Sequence, residues 1–593
     1  MKICKIEKLI FIFLIIYPCI FVNSTAYARN DQADIKALQD EVIALREKAE
    51  QWEITAIQAE FIASKQQAPA PAAIVPAEPK VLVKFFVLDG VNLFQPKDFE
   101  PILKKYKNQK LGMSDLKKVS EEISAFYRSQ GYVSSIAYLP SQEITKNTVE
   151  FKVIEGRIGE IEVETPKYSR RSTVENRFLV QPGQVVNSKD IETSLERINT
   201  NKDRQVRAVL TPGKTSGTSD ILLKVEKERS PYHFYTDFNN RGTNTTNERR
   251  WGLGFVNSNL LGLDDVLSLR FMASPTTSDV YSFSGDYNLP VNRFDTRLGA
   301  YAVFASADIE GQFAIISPQG RAQAFGVYAT HPLFKKEFAE AGSSNSVTLA
   351  SNLTAGFDSI DVRNKILNNE TSHDQISAFK GGINFDEKDN LGRSVIAAEA
   401  RAGIPDFLGS MAKNDVNASR AASGAGGEFQ KYNLSLNRIT YLPFNSMFLS
   451  NFRMQYTDDP LVTPEQMVIG GADSVRGFPE NEYLADYGWI ANLELRSPAF
   501  IFPSKFRVPF DKKGTRLIDA IQFVYFIDAG EGRLNKARVG ELSKKYLVGA
   551  GFGLRFDLYE HLRARLDIGF PIGNEKPSDD ASYRIHYGLQ YEW

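Results

Sequence analysis

From Pro231 to the C-terminus, apolar and polar residues alternate in long runs. Tyr281, Phe283, Tyr287 and Leu289 interleave with Ser282, Ser284, Asp286 and Asn288. Leu562, Ala564, Leu566, Ile568, Phe570 and Ile572 interleave with Arg563, Arg565, Asp567 and Gly569. The chain ends with Tyr583, Ile585, Tyr587, Leu589, Tyr591 and Trp593 set against Arg584, His586, Gly588, Gln590 and Glu592. A period of two sends each set to its own face of a strand. A soluble antiparallel sheet can also alternate, but it seldom sets Tyr and Trp at strand ends opposite Arg, Asp and Gly. The pattern predicts strands of about ten residues in a transmembrane barrel, about sixteen antiparallel strands between residues 230 and 593. After the first residues no apolar run approaches the length of a membrane-spanning helix, and a closed barrel is the only other way across a bilayer.

Ahead of the barrel the period changes. Val81–Leu88 reads as one strand ending at the turn signal Asp89-Gly90. Phe99, Ile102, Leu103 and Tyr106 mark a short helix. Ser114 is placed to cap a second helix, with Leu116, Val119, Ile123, Phe126 and Tyr127 on one face and Gly131 as its stop. Val133–Leu139 and Thr148–Ile154 read as closing strands. The scheme recurs with a strand at Ile158–Val163, a helix at Ser188–Ile198, and strands at Val206–Thr211 and Asp220–Glu226. Two small α+β modules, 81–157 and 158–229, form an internal duplication.

The N-terminus carries three further segments. Lys2, Lys5 and Lys8, the apolar run Leu9–Val22 and Ala26-Tyr27-Ala28 form a signal peptide over 1–28. Within 29–66, Ile35, Leu38, Val42, Leu45, Ala49, Trp52, Ala56, Ala59 and Ala63 keep heptad spacing, predicting a helix over 30–64. It is either a self-association seam or an amphipathic helix docked on its own protein. Residues 67–80, with Pro69, Pro71, Pro76 and Pro79, read as a semi-rigid linker.

Composition narrows the chemistry. The 593 residues carry 71 basic and 72 acidic side chains, so no basic footprint points to nucleic acid. Both cysteines, Cys4 and Cys19, precede the expected cleavage site, which leaves an exported chain without disulfides or thiol chemistry. His233, His331, His373, His561 and His586 lack metal-ligand spacing, and no metal or cofactor is expected. Gly549-x-Gly551-x-Gly553 sits inside an alternating strand rather than between a strand and a helix, so it reads as small residues lining an inner wall. No nucleophile motif or supported carboxylate pair appears, and no catalytic residue is assigned: the chain reads as a non-enzyme.

Two segments stand apart. Gly470-Gly471-Ala472-Asp473-Ser474-Val475-Arg476-Gly477-Phe478 lies in a long connection over about 457–485. Phe526-Ile527-Asp528-Ala529-Gly530 ends a strand that begins near Leu517. Ile521, Phe523, Tyr525 and Ile527 share its apolar face, so Phe526 and Asp528 point to the interior. A carboxylate there needs water or a cation, and an Arg on a loop folded into the lumen would supply a bidentate partner. A surface Arg and a solvated Asp would give the same sequence.

The pair resembles the VRG-F/Y loop and F-x-D-x-G strand of the superfamily containing BamA and the two-partner secretion transporters. The domain order resembles the TpsB branch, of ShlB/FhaC type. Ile198-Asn199, Leu210-Thr211-Pro212-Gly213 and Asn259-Leu260-Leu261-Gly262-Leu263-Asp264-Asp265 are similar to further patterns of that family. The resemblance implies a barrel in the outer membrane of a Gram-negative bacterium, in contact with its lipid and with two POTRA modules in the periplasm. It implies secretion of an unfolded partner exoprotein without ATP, the loop being locked to the wall through Val475, Arg476, Gly477, Phe478, Phe526, Asp528 and Gly530. A barrel insertase and a passive porin are the alternatives. The N-terminal helix then has three candidate roles: lumen plug, docking element or self-association seam.

Overall fold

The computed structural model describes residues 80–593 apart from 244, 276–279, 309–316, 340–345, 504, 510–513 and 559–560. The expected signal peptide (1–28), the helix within 29–66 and the linker up to residue 79 lie outside the described residues. The described chain divides between Arg229 and Ser230 into two compact units.

The first unit holds two modules of one topology. In the first, Phe85–Asp89 pairs in parallel with Thr148–Ile154, which pairs antiparallel with Ile136–Tyr138. In the second, Arg157–Val163 pairs in parallel with Thr218–Glu228, which pairs antiparallel with Arg204–Pro212. The last strand is central in each sheet, and each module has its own apolar core. Phe99, Val119, Ile123, Tyr127 and Phe151 are fully buried in the first, Val174, Val186, Ile198 and Leu223 in the second.

Several local expectations need correction. The predicted strand over Val81–Leu88 breaks at Lys84: Val81–Val83 pairs with Gln109–Leu111, and only Phe85–Asp89 joins the main sheet. The helix expected to be capped by Ser114 begins at Met113, with Gly112 N–H donating to Asp115 at 3.1 Å. The carboxylate at the third helical position reaches back to the N–H of the capping residue, the reverse half of a capping box, and Ser114 lies inside the helix instead of at its cap. The short helix ends before Tyr106, as the turn Pro96–Phe99 followed by Glu100–Leu103. The second module carries a helix beyond the one expected there, Arg171–Arg177.

In the second unit sixteen strands close into an antiparallel barrel. The even strand number returns the chain to the end at which it entered. Alternation fixes the register, because a slip of one residue would turn every polar side chain toward lipid. Tyr525 and Ile527 face outward, exposed, while Val524, Phe526 and Asp528 face inward and are buried. Ring closure pairs Gly588–Glu592 with Tyr235–Asn239, five residue pairs against eight on the other flank of each of these two strands. Three consecutive strands, Gln319–Ala339, Ser346–Ile366 and Asn369–Asp389, have 21 residues each. At ~3.4 Å per residue they outrun the ~25 Å apolar band even when tilted by ~45°. Charged residues such as Lys335, Lys336, Glu387 and Lys388 lie toward one end of these strands.

Candidate functional site: the inward loop and the lumen wall

The connection between Ser446–Tyr456 and Tyr487–Pro498 leaves the far end of the barrel and folds back into it. A short antiparallel pair, Met467–Ile469 with Tyr483–Ala485, braces its two limbs. Gly470 and Gly471 turn the chain with φ of 102° and 105°. The positive φ favours glycine at Gly471, and a Cβ there would also displace the Glu480 carboxylate, which would lie 2.0 Å away.

Beyond that turn the structure brings the two sequence motifs together. Arg476 is buried, and its Nε and Nη2 donate to Asp528 Oδ2 and Oδ1 at 2.7 and 2.9 Å. Its backbone N–H also donates to Asp528 Oδ2, at 3.1 Å. The guanidinium stacks on Phe526, 3.5 Å from the ring centroid. Val475 and Phe478 are fully buried in a cluster with Ile469, Ala485, Ile490 and Leu547. Gly477 turns at φ 101° against the backbone of Phe570 and Pro571. At Gly530 a Cβ would approach the Ile469 and Val475 side chains to 3.0 and 3.2 Å.

The wall supplies more charge than the two motifs reveal. Arg476 Nη1 donates to Glu494 Oε2 at 2.6 Å, and Asp567 lies 3.9 Å from the same nitrogen. Glu494 also takes Arg496 at 2.6 Å and Arg555 at 3.3 Å, while Arg555 donates to Asp567 at 2.7 Å. Asn492, opposite Asp528 across the strand pair, donates to Asp528 at 2.8 Å and to the Ser474 carbonyl at 2.5 Å. The buried charges thus form a network whose carboxylates and guanidiniums offset each other's desolvation. At the loop tip, Asp473 meets Arg241 at 2.5 Å and Arg565 at 3.3 Å.

Sequence reasoning did not select Glu494, Asn492 or Asp567. The signal was present for Glu494: Leu493 and Leu495 face outward, which by parity turns Glu494 inward. The glycine run of the inner wall acquires a definite use. A Cβ at Gly549 would stand 1.8 Å from the Arg476 carbonyl oxygen, and one at Gly569 2.6 Å from the Gly477 nitrogen. The loop backbone lies directly on these two glycines.

With this geometry established, comparison with known proteins is informative. A model described as "Haemolysin secretion/activation protein ShlB/FhaC/HecB" matches residues 217–556, and one described as "POTRA domain, ShlB-type" matches residues 81–156. The chain is 25% identical over 402 residues to the heme/hemopexin transporter protein HuxB of Haemophilus influenzae, covering 67% of this chain and 68% of that one. It is 23% identical to the outer membrane transporter CdiB of Escherichia coli O6:K15:H31, covering 85% and 81%. Among solved structures, CdiB from Escherichia coli superposes with a TM-score of 0.65 at 20% identity, over 91% of this chain and 98% of that one. BamA from Haemophilus ducreyi lacking POTRA domains 1-3 superposes at 0.51 with 16% identity, over 87% and 100%. The likeness to BamA is one of fold. The family model spans more than half of the chain, and the protein therefore belongs to the ShlB/FhaC/HecB family of two-partner secretion transporters, POTRA-bearing β-barrels of the Gram-negative outer membrane.

Proposed function

We propose that this barrel secretes one unfolded exoprotein, captured by the periplasmic modules, and that the inward loop is held to the lumen wall by Arg476. The observation that carries the reading is the Arg476 side chain, buried in the lumen and shared by carboxylates of two neighbouring strands, Asp528 and Glu494. A loop held this way occupies the route a polypeptide takes, and a charged contact can be exchanged for others without exposing backbone groups to lipid. Capture by strand addition is physically available in the first module. Phe85–Asp89 pairs on one side among the described residues, with Phe85 and Val87 exposed beside that edge. Main-chain bonds would give affinity and the flanking apolar side chains selectivity. Folding of the exported chain outside supplies direction without ATP.

The test is Arg476→Ala. Secretion of the partner exoprotein should fall while the folded barrel remains at parental level in the outer membrane. Normal secretion by that variant would remove the loop from the mechanism. For capture, Phe85→Glu with Val87→Glu should weaken exoprotein binding to the purified full-length transporter and leave its assembly intact.

A further inference from the structure

The inward loop has a second buried charge contact, on a different part of the wall. Glu465 ends the single turn Thr463–Glu465 in the limb that enters the lumen, and its side chain is 3% exposed. Arg401 Nε donates to its Oε1 at 3.2 Å, and Lys431 Nζ lies 2.8 Å from its Oε2. Lys431 donates as well to the Glu465 carbonyl, at 2.9 Å. Arg401 continues to Asp358, which also accepts from Lys380 at 3.0 Å and from the Tyr301 hydroxyl at 2.5 Å. Arg401 and Lys431 stand on the ninth and tenth strands, Gly392–Gly403 and Phe429–Leu442. The Arg476 partners Glu494 and Asp528 stand on the twelfth and thirteenth, Tyr487–Pro498 and Ile521–Arg533. One limb of the brace, Met467–Ile469, lies between the two contacts along the chain, and its partner Tyr483–Ala485 follows them.

We propose that Glu465 is a positioning residue for the inward loop, a second anchor that fastens its root while Arg476 fastens its tip. The proposal rests on the reading that loop position governs secretion. It gives the loop a fixed end and a releasable end. The root is held by Glu465 and also by Asp486, which accepts from Arg420 at 2.6 Å, Gln466 at 2.8 Å and the Asn535 N–H at 2.7 Å. When Arg476 lets go, the tip swings about this root instead of leaving the lumen. Burying this carboxylate with its two cations costs more desolvation than an apolar contact would, so its place on the loop calls for a positional explanation.

A single-cysteine reporter tests this in the full-length protein, because both native cysteines lie in residues 1–28. Ala472→Cys sits at the loop tip, 7% exposed. Its labelling by a membrane-impermeant maleimide is compared in the parent, in Arg476→Ala, in Glu465→Gln and in the double variant, with secretion and heat-modifiable barrel migration measured alongside. Two anchors of which either alone keeps the loop seated predict a modest rise in each single variant and a rise in the double variant ~10-fold or more above the product of the two, where unrelated sites would give the product itself. Glu465→Asp, which keeps the charge, should return labelling most of the way to the parent. A double variant that labels no faster than Arg476→Ala overturns the second anchor. If Arg476→Ala alone then still impairs secretion, the loop reading survives that failure. A tip freed in the double variant with secretion intact would instead uphold the anchor and reject the loop reading. Should Glu465→Gln fail to assemble, Lys431→Gln removes one cation from the same contact and is held to the same outcomes.

Discussion

At residue scale the wall around Arg476 explains why its chemistry is hard to replace. One guanidinium meets Asp528 through two nitrogens, Glu494 through a third, and the Phe526 ring with its face. Lysine offers a point charge and no planar face. Arg476→Lys should therefore lose most of the secretion lost by Arg476→Ala, which a dose-matched secretion assay would show. Exchanging the charges of Arg476 and Asp528 should recover only part of the loss, because the new carboxylate at 476 would face Glu494. Full recovery would mean that Glu494 takes no part. Gly549→Val tests the other side of the contact. Its side chain would collide with the Arg476 carbonyl, so the loop should unseat and secretion fall while the barrel still assembles. In the first module, Glu155 is the corresponding polar hub. It accepts the N–H groups of Asn92 and Leu93, both at 2.8 Å, and the Tyr127 hydroxyl at 3.0 Å. Burial together with this bond pushes the Tyr127 phenol up, so it remains a proton donor at any physiological pH. Glu155→Ala strands these donors at a cost of about 1–3 kcal/mol, and amide hydrogen exchange at residues 92–93 should accelerate.

At element scale the clearest sequence signal was the period of two. It identified the barrel strands and turned Phe526 and Asp528 inward, because lipid on one side and water on the other leave a strand no freedom in its register. Short elements were less legible. Lys84 ends one strand and begins another through two different partners, a tertiary choice that an unbroken apolar run from Val81 to Leu88 conceals. The helix Arg171–Arg177 buries Thr173 and Val174 with only two turns of sequence, too little for a periodic signal. The glycines at 549, 551 and 553 were recognisable as wall residues. That the loop backbone rests on Gly549 depended on a contact between segments more than seventy residues apart. Glu465 and Arg401 are separated by 64 residues, and no local pattern joins them.

At the scale of the whole molecule, a periplasmic unit offers a strand edge, and a barrel holds a loop folded into its lumen. Release of the loop from one wall and its retention on the other would open a passage without unfolding the barrel. The central claim is that this machinery serves a dedicated cargo, and the direct measurement compares proteins released into the medium by cells with and without the chain. A dedicated transporter predicts loss of one large secreted protein while the other outer-membrane barrels keep their normal levels. A general fall in those barrels, with no single exoprotein missing from the medium, would contradict it and point to an insertase.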